Sequence, residues 1–196
     1  MITQNQFDPV FDCQQVFKAL MNAMARPGTV QSIAPQAGKL EGGSAPLLAA
    51  GLTLLDNWRK FYVDGDLELA QTLRELTYGV PAPLEEADYL FLVRPCAPEA
   101  CEAALGSAKA GTLAEPDRSA TFFVLLDALT GGPAMTLTGP GVDGAIQIHL
   151  PEAGGQWIRI RERMSFEFPC GIELCFVTPG GELMAVPRKV KIGGDR

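Results

Sequence analysis

The run FEFPCGIELCFVTPGGELMAVPRK, near the C-terminus, constrains this chain most. Two apolar stretches, residues 172–177 and 183–186, flank the tetrad Thr178-Pro179-Gly180-Gly181. Short runs of β-favouring residues bounded by Pro and Gly read as buried strands joined by a tight turn. Pro187 ends the second strand because proline has no amide to give to a ladder. Arg188 and Lys189 then place two cations just past the strand end. Ligands of open α/β sheets gather outside the carboxyl ends of strands, so Arg188 is the first residue to question.

The rest of the chain supplies further strands and the helices to cover them. Residues 121–126 (TFFVLL) form the strongest strand pattern, and residues 89–93 are apolar throughout, as in a strand covered on both faces. Residues 29–33, 60–63, 135–138 and 145–150 read as shorter strands, and residues 36–44 as a loop. The D-x-x-Q spacing of Asp12 and Gln15 predicts a capping box. The helix it opens carries Val16, Phe17, Leu20, Met21 and Met24 as one apolar stripe and ends at Arg26-Pro27-Gly28. Ser44 is placed to cap an apolar helix over residues 45–56, and Asp66 to open another that runs to Tyr78 and closes at Gly79. Residues 98–105 and 156–164 complete the helices. Strands alternating with helices at this pace predict a layered α/β domain with a mixed sheet. At 196 residues, with no repeat or linker, a single domain over 1–196 is expected.

Composition excludes several functions. Hydrophobic residues make up 47% and charged residues 20%, enough apolar matter for a sizeable core. The net charge of −7 and the lack of a basic run argue against nucleic acid as a partner. No 18-residue apolar run is present, so no membrane helix is expected. The N-terminus lacks the basic-then-apolar block of a signal peptide. Five cysteines without a CxxC pair, beside a lone His149, do not make a zinc set. They read as free thiols of a cytoplasmic protein.

Four stretches together carry a family resemblance: FDPVFDCQQVFKALMNAMARPG, LLAAGLTLLDN, the LTGPG turn, and FPCGIELCFV with the terminal AVPR. In this order and spacing the chain resembles the PhnH subunit of the bacterial carbon–phosphorus lyase machinery. The resemblance implies a three-layer α/β/α sandwich around a mixed sheet, similar to the large domain of pyridoxal-phosphate-dependent transferases but binding no pyridoxal phosphate, and no other cofactor is expected. It implies work alongside PhnG, PhnI and PhnJ; self-association of the isolated chain, as a homodimer, is expected from its apolar excess. The assembly it implies forms ribose 1-alkylphosphonate 5-triphosphate from ATP and an alkylphosphonate, with release of adenine. The glycosyl transfer is attributed to PhnI, so this subunit would be accessory. Four positions in two stretches depart from the family pattern. Cys170 and Glu173 stand where Leu and Asp are common, and Lys189 and Val190 stand where a pair of threonines is often found.

The residues themselves offer a few anion-binding candidates and no assignable catalytic group. Arg26 is suited to a bidentate phosphate contact, or to capping the end of its helix. Thr138, Gly139 and Gly141 lie in a turn whose amides can cradle an anion, although Pro140 removes one donor and a structural turn is the plainer reading. Arg188 fits an anion or an interface charge equally. Arg159, Arg161 and Arg163 suggest a solvated helix face or a subunit contact. His149 has no orienting partner in sequence, no lysine (Lys109 included) stands in a Schiff-base context, and no G-x-S-x-G elbow occurs. A metal site is not expected. The rival to an accessory subunit is a stand-alone nucleotide- or phosphonate-binding enzyme built on Arg26, Thr138 and Arg188.

Overall fold

The computed structural model describes residues 6–193. Its central feature is a seven-stranded mixed sheet in the order β1-β9-β8-β5-β4-β2-β3. The strands are β1 (Gln31–Ser32), β2 (Lys60–Asp64), β3 (Val80–Pro81), β4 (Tyr89–Leu92), β5 (Thr121–Leu125), β8 (Glu173–Val177) and β9 (Glu182–Val186). β3, β2, β4, β5 and β8 run parallel; β9 is antiparallel to β8, and β1, antiparallel to β9, runs with the rest. A second, antiparallel sheet in the order β10-β6-β7 joins β6 (Met135–Thr138), β7 (Ile146–Ile148) and β10 (Lys191–Ile192).

Side chains of the parallel strands alternate between two cores. Phe61, Phe91, Phe123, Cys175 and Ala185 face one side; Leu90, Leu92, Phe122, Leu174, Phe176 and Val186 face the other. Both faces are buried, which is why these strands are apolar throughout rather than alternating with polar residues. Helices α1 (Phe11–Ala25), α3 (Ala45–Leu54) and α4 (Leu67–Thr77) cover the first face, where Phe91 and Phe123 stack at 5.4 Å. Helices α5 (Pro98–Ser107) and α6 (Glu152–Arg163), with the small sheet, cover the second, where Trp157 packs on Phe122 at 5.6 Å. The large mixed sheet is thus enclosed by helices on both sides.

Several local expectations are corrected. α1 is not capped by Asp12. It begins at Phe11, and Asp8 accepts from the amides of Val10 and Phe11. Asp12 lies buried inside the first turn, accepts from the Asp8 amide and pairs with Lys39 at 2.7 Å. The expected α1 stripe also divides. Val16, Leu20 and Ala23 are buried, but Phe17 and Met21 look outward with Val10 and Phe11. Phe17 and Met21 follow Val16 and Leu20 by one position, about 100° round the helix, which is enough to leave the core. Ser44 makes no cap; its hydroxyl donates to Asp66 at 2.7 Å, and Asp66 caps α4 through the Leu69 amide. The stretch expected as a loop after β1 begins inside a one-turn helix, α2 (Ala34–Ala37). The strands expected at 135–138 and 145–150 form the separate small sheet rather than extending the main one. β3 and β10 are two-residue strands with no sequence period to announce them.

Candidate functional site

Three of the four stretches that carry the family resemblance fold into one corner. β9 runs against its parallel neighbours, so its carboxyl end lies at the amino ends of β8 and β5. Arg188 therefore sits at the opposite end of the sheet from the usual ligand crevice. Its guanidinium reaches Glu173 at 3.1 Å and the Ser119 hydroxyl at 2.7 Å, and its amide donates to Glu173 at 2.7 Å. Glu173 thus supplies a carboxylate that clamps both the backbone and the side chain of Arg188, and the pair closes the hairpin onto β5.

The LTGPG turn nests between two segments. A Cβ on Gly139 (φ +128°) would lie 2.8 Å from the Lys189 carbonyl oxygen, and one on Gly141 (φ +84°) 2.7 Å from that of Ala25. No real Cβ tolerates such backbone contacts, so glycine is demanded here by space as well as by φ. Thr138 pairs across the ladder with Lys191. Gly28, at the Arg26-Pro27-Gly28 turn, packs on Ile146, Ile148 and Leu137 of the small sheet, and its amide donates to Ala185. The turn therefore lies between the end of α1, which Gly141 meets at Ala25 and Pro27, and the segment after β9, which Gly139 meets at Lys189 and Thr138 at Lys191. The exposed Arg26 guanidinium makes no hydrogen bond or ion pair among the described residues, while Arg188 is committed to Glu173 and Ser119.

Sequence reasoning missed the strongest polar feature of this corner, Arg161. It is only 4% exposed and donates to three carbonyls: Ile172 at 3.1 Å, Val186 at 2.6 Å and Val190 at 2.8 Å. Burial pushes its pKa down to about 10, with Glu173 and Glu162 opposing by their charge. The guanidinium fastens the start of β8, the end of β9 and the lead into β10 to α6. It is not on a solvated face. The signal was its spacing: Arg161 follows Trp157 by four and Gly154 by seven, the period of the buried side of α6. Arg159 does lie outward, paired with Glu152. Lys189 donates to the Cys170 carbonyl at 3.0 Å and sits 4.5 Å from the Phe168 ring centroid. Desolvation, with Arg188 adding repulsion, lowers its pKa.

The other candidates are scattered. His149 is exposed at the end of β7. Lys109 is bound to Asp88, whose second oxygen accepts the Lys60 amide. No group of three His, Cys, Asp or Glu among the described residues is arranged to hold a metal ion. No helix among them is long and apolar enough to cross a membrane.

Residues 5–193 match the family described as bacterial phosphonate metabolism protein (PhnH). The chain belongs to the PhnH family. It is 29% identical over 197 residues to the alpha-D-ribose 1-methylphosphonate 5-triphosphate synthase subunit PhnH of Rhizobium meliloti (strain 1021), covering 94% of this chain and 92% of that protein. It is also 27% identical over 180 residues to a putative C-P lyase subunit, HtxG, of Stutzerimonas stutzeri, covering 91% and 85%. In this PhnH-family chain, then, the glycine turn and the terminal Pro-Arg segment form one packed structural corner, held by Arg161 and Glu173.

Proposed function

We propose that this chain is the PhnH-type accessory subunit of a carbon–phosphorus lyase core assembly. In that assembly it takes part in forming ribose 1-alkylphosphonate 5-triphosphate from ATP and an alkylphosphonate. The observation that carries the reading is the family match across residues 5–193, supported by two relatives named as subunits of such complexes. The partners we assign are PhnG, PhnI and PhnJ, in the cytoplasm. The role is to present surface rather than a reacting group. In support, Arg188, the best polar candidate of the sequence, is spent on internal partners.

Exposed apolar residues mark the surfaces for those partners. Phe11 (73% exposed), Val10, Phe17 and Met21 line the outer side of α1, and Trp58 (82%), Tyr78 and Val80 gather near the free edge of β3. Large apolar patches left in water are unfavourable, and they mark interfaces when they are contiguous. We also read the sheet as kin to the large domain of pyridoxal-phosphate enzymes, working without that cofactor. A Schiff-base lysine must become neutral, whereas the Glu86 carboxylate raises the Lys60 pKa, and Lys109 is bound to Asp88.

Co-expression with tagged PhnI, PhnG and PhnJ tests the assignment. Stoichiometric co-purification is expected. Recovery of the partners as a stable assembly that excludes this chain would overturn it.

A further inference from the structure

The parallel sheet changes direction between β2 and β4. From β2 the chain crosses by α4, on one face, to β3; from β4 it crosses by α5, on the other face, to β5. The loops leaving the carboxyl ends of β2 and β4 therefore part, and a crevice opens between them. In open α/β sheets this switch point is where ligands sit. Here a cleft of about 350 Å³ runs from that point along the α5 side, floored by Tyr62, Leu92 and Trp157, with Asp64 and Arg94 at the carboxyl ends of β2 and β4 and Glu85 on the turn that precedes β4. That volume lies in the range of small-molecule sites.

We propose that this cleft binds a small zwitterion with an apolar body. The three rim charges form no hydrogen bond or ion pair with one another or with any described residue, unlike Arg188, Lys109 and Lys60 at the other end of the strands. The Arg94 guanidinium suits one anionic group, and the Asp64 carboxylate suits one ammonium. A polyphosphate would bring several negative charges against Asp64 and Glu85, and Coulomb repulsion disfavours it. The ring and alkyl floor takes the apolar body.

The rim is built rather than incidental. Gly65 follows β2 at φ +90°, and a Cβ there would lie 2.6 Å from Arg94 Cγ, so the glycine lets the Arg94 stem lie across the turn. The loop carrying Arg94 is fixed by Gln156 of α6, which donates to the Cys96 carbonyl at 2.8 Å. Floor and rim thus come from separate elements held at a set spacing, which is the preorganisation a binding site needs.

The chain has two tryptophans, so Trp58→Phe leaves Trp157, in the cleft floor, as the sole indole reporter. Full-length Trp58→Phe protein is titrated with phenylalanine, phenethylamine, phenylacetate and ATP, which share or lack the apolar body and the two charges. Phenylalanine is expected to change Trp157 emission saturably and to bind at least about fivefold more tightly than either singly charged analogue. Arg94→Gln, on the exposed rim, should weaken phenylalanine about tenfold and leave phenethylamine unaltered. Asp64→Asn should weaken phenylalanine and phenethylamine about tenfold while leaving phenylacetate unaltered, and Ala103→Phe, at the mouth, should abolish all binding. ATP or phenylacetate binding as tightly as phenylalanine would overturn the proposal. So would no response to any probe by either fluorescence or calorimetry. The readout uses the isolated chain, so it does not depend on whether the chain assembles with partner subunits.

Discussion

Replacing Arg161 with Met keeps most of the buried volume and deletes all three carbonyl contacts. Hydrogen bonds to a charged group contribute about 1.5–3 kcal/mol each, so losing those to Ile172, Val186 and Val190 costs roughly 5–9 kcal/mol. Against this stands relief from burying a cation. A pKa lowered from 12.5 to about 10 corresponds to roughly 3 kcal/mol of disfavour for the charged form. The net destabilisation at pH 7 is then about 2–6 kcal/mol, and for a chain of 196 residues each kcal/mol lowers Tm by about 2–4 °C. Because the folded pKa is depressed for a base, the penalty on wild type applies at neutral pH and eases only as pH rises past about 10. Urea denaturation at pH 7 with matched calorimetry reads the difference. A loss under 1 kcal/mol with unchanged m-value would refute the idea that Arg161 fastens β8, β9 and the lead into β10 to α6.

Two further substitutions probe the same framework. Gly141→Ala combines a positive φ with a 2.7 Å approach to the Ala25 carbonyl and should lower Tm by several degrees, whereas Gly144→Ala, with open space, should cost less; equal losses in thermal melts would contradict the packed-corner account. Asp12→Asn tests the α1 start. Although desolvation works to raise it, the Asp12 pKa is lowered by the hydrogen bonds from Lys39 and the Asp8 amide and by the Lys39 charge. Its contribution is therefore present above the ordinary carboxylate pKa of about 3.9 and disappears as pH falls below it. The stability gap between Asp12→Asn and wild type should be open at pH 7 and should narrow below pH 4; a gap independent of pH would contradict the ion pair.

The interior of the main sheet was legible because parallel strands buried on both faces must be apolar without interruption. TFFVLL and the run at 89–93 can hardly be anything else. The β8–β9 hairpin was legible from its Thr-Pro-Gly-Gly turn for the same local reason. What escaped was decided at long range. Two-residue strands such as Val80–Pro81 exist only because β2 offers them a partner. The small sheet needs Lys191 to find Thr138 over more than fifty residues. Asp12 matched a capping box by spacing, but it lies inside the first turn paired with Lys39, and it is Asp8 that accepts from the Val10 and Phe11 amides. Among the candidate site residues, the rival reading of a stand-alone enzyme needs Arg26, Thr138 and Arg188 to converge in one pocket. The direction of β9, invisible in sequence, put Arg188 at the amino end of its neighbours and gave it Glu173 instead. The cleft at the β2–β4 switch was invisible for the same reason, since a strand order is a property of the whole sheet.

Hydroxyl-radical footprinting measures directly whether the outward apolar residues of this chain are interface. Labelling at Phe11, Phe17, Met21 and Trp58 is compared between the isolated chain and the chain assembled with its partner subunits. A severalfold fall on the outer face of α1 or at Trp58 is the predicted result. Full assembly with all four side chains labelled as in the free chain would contradict it.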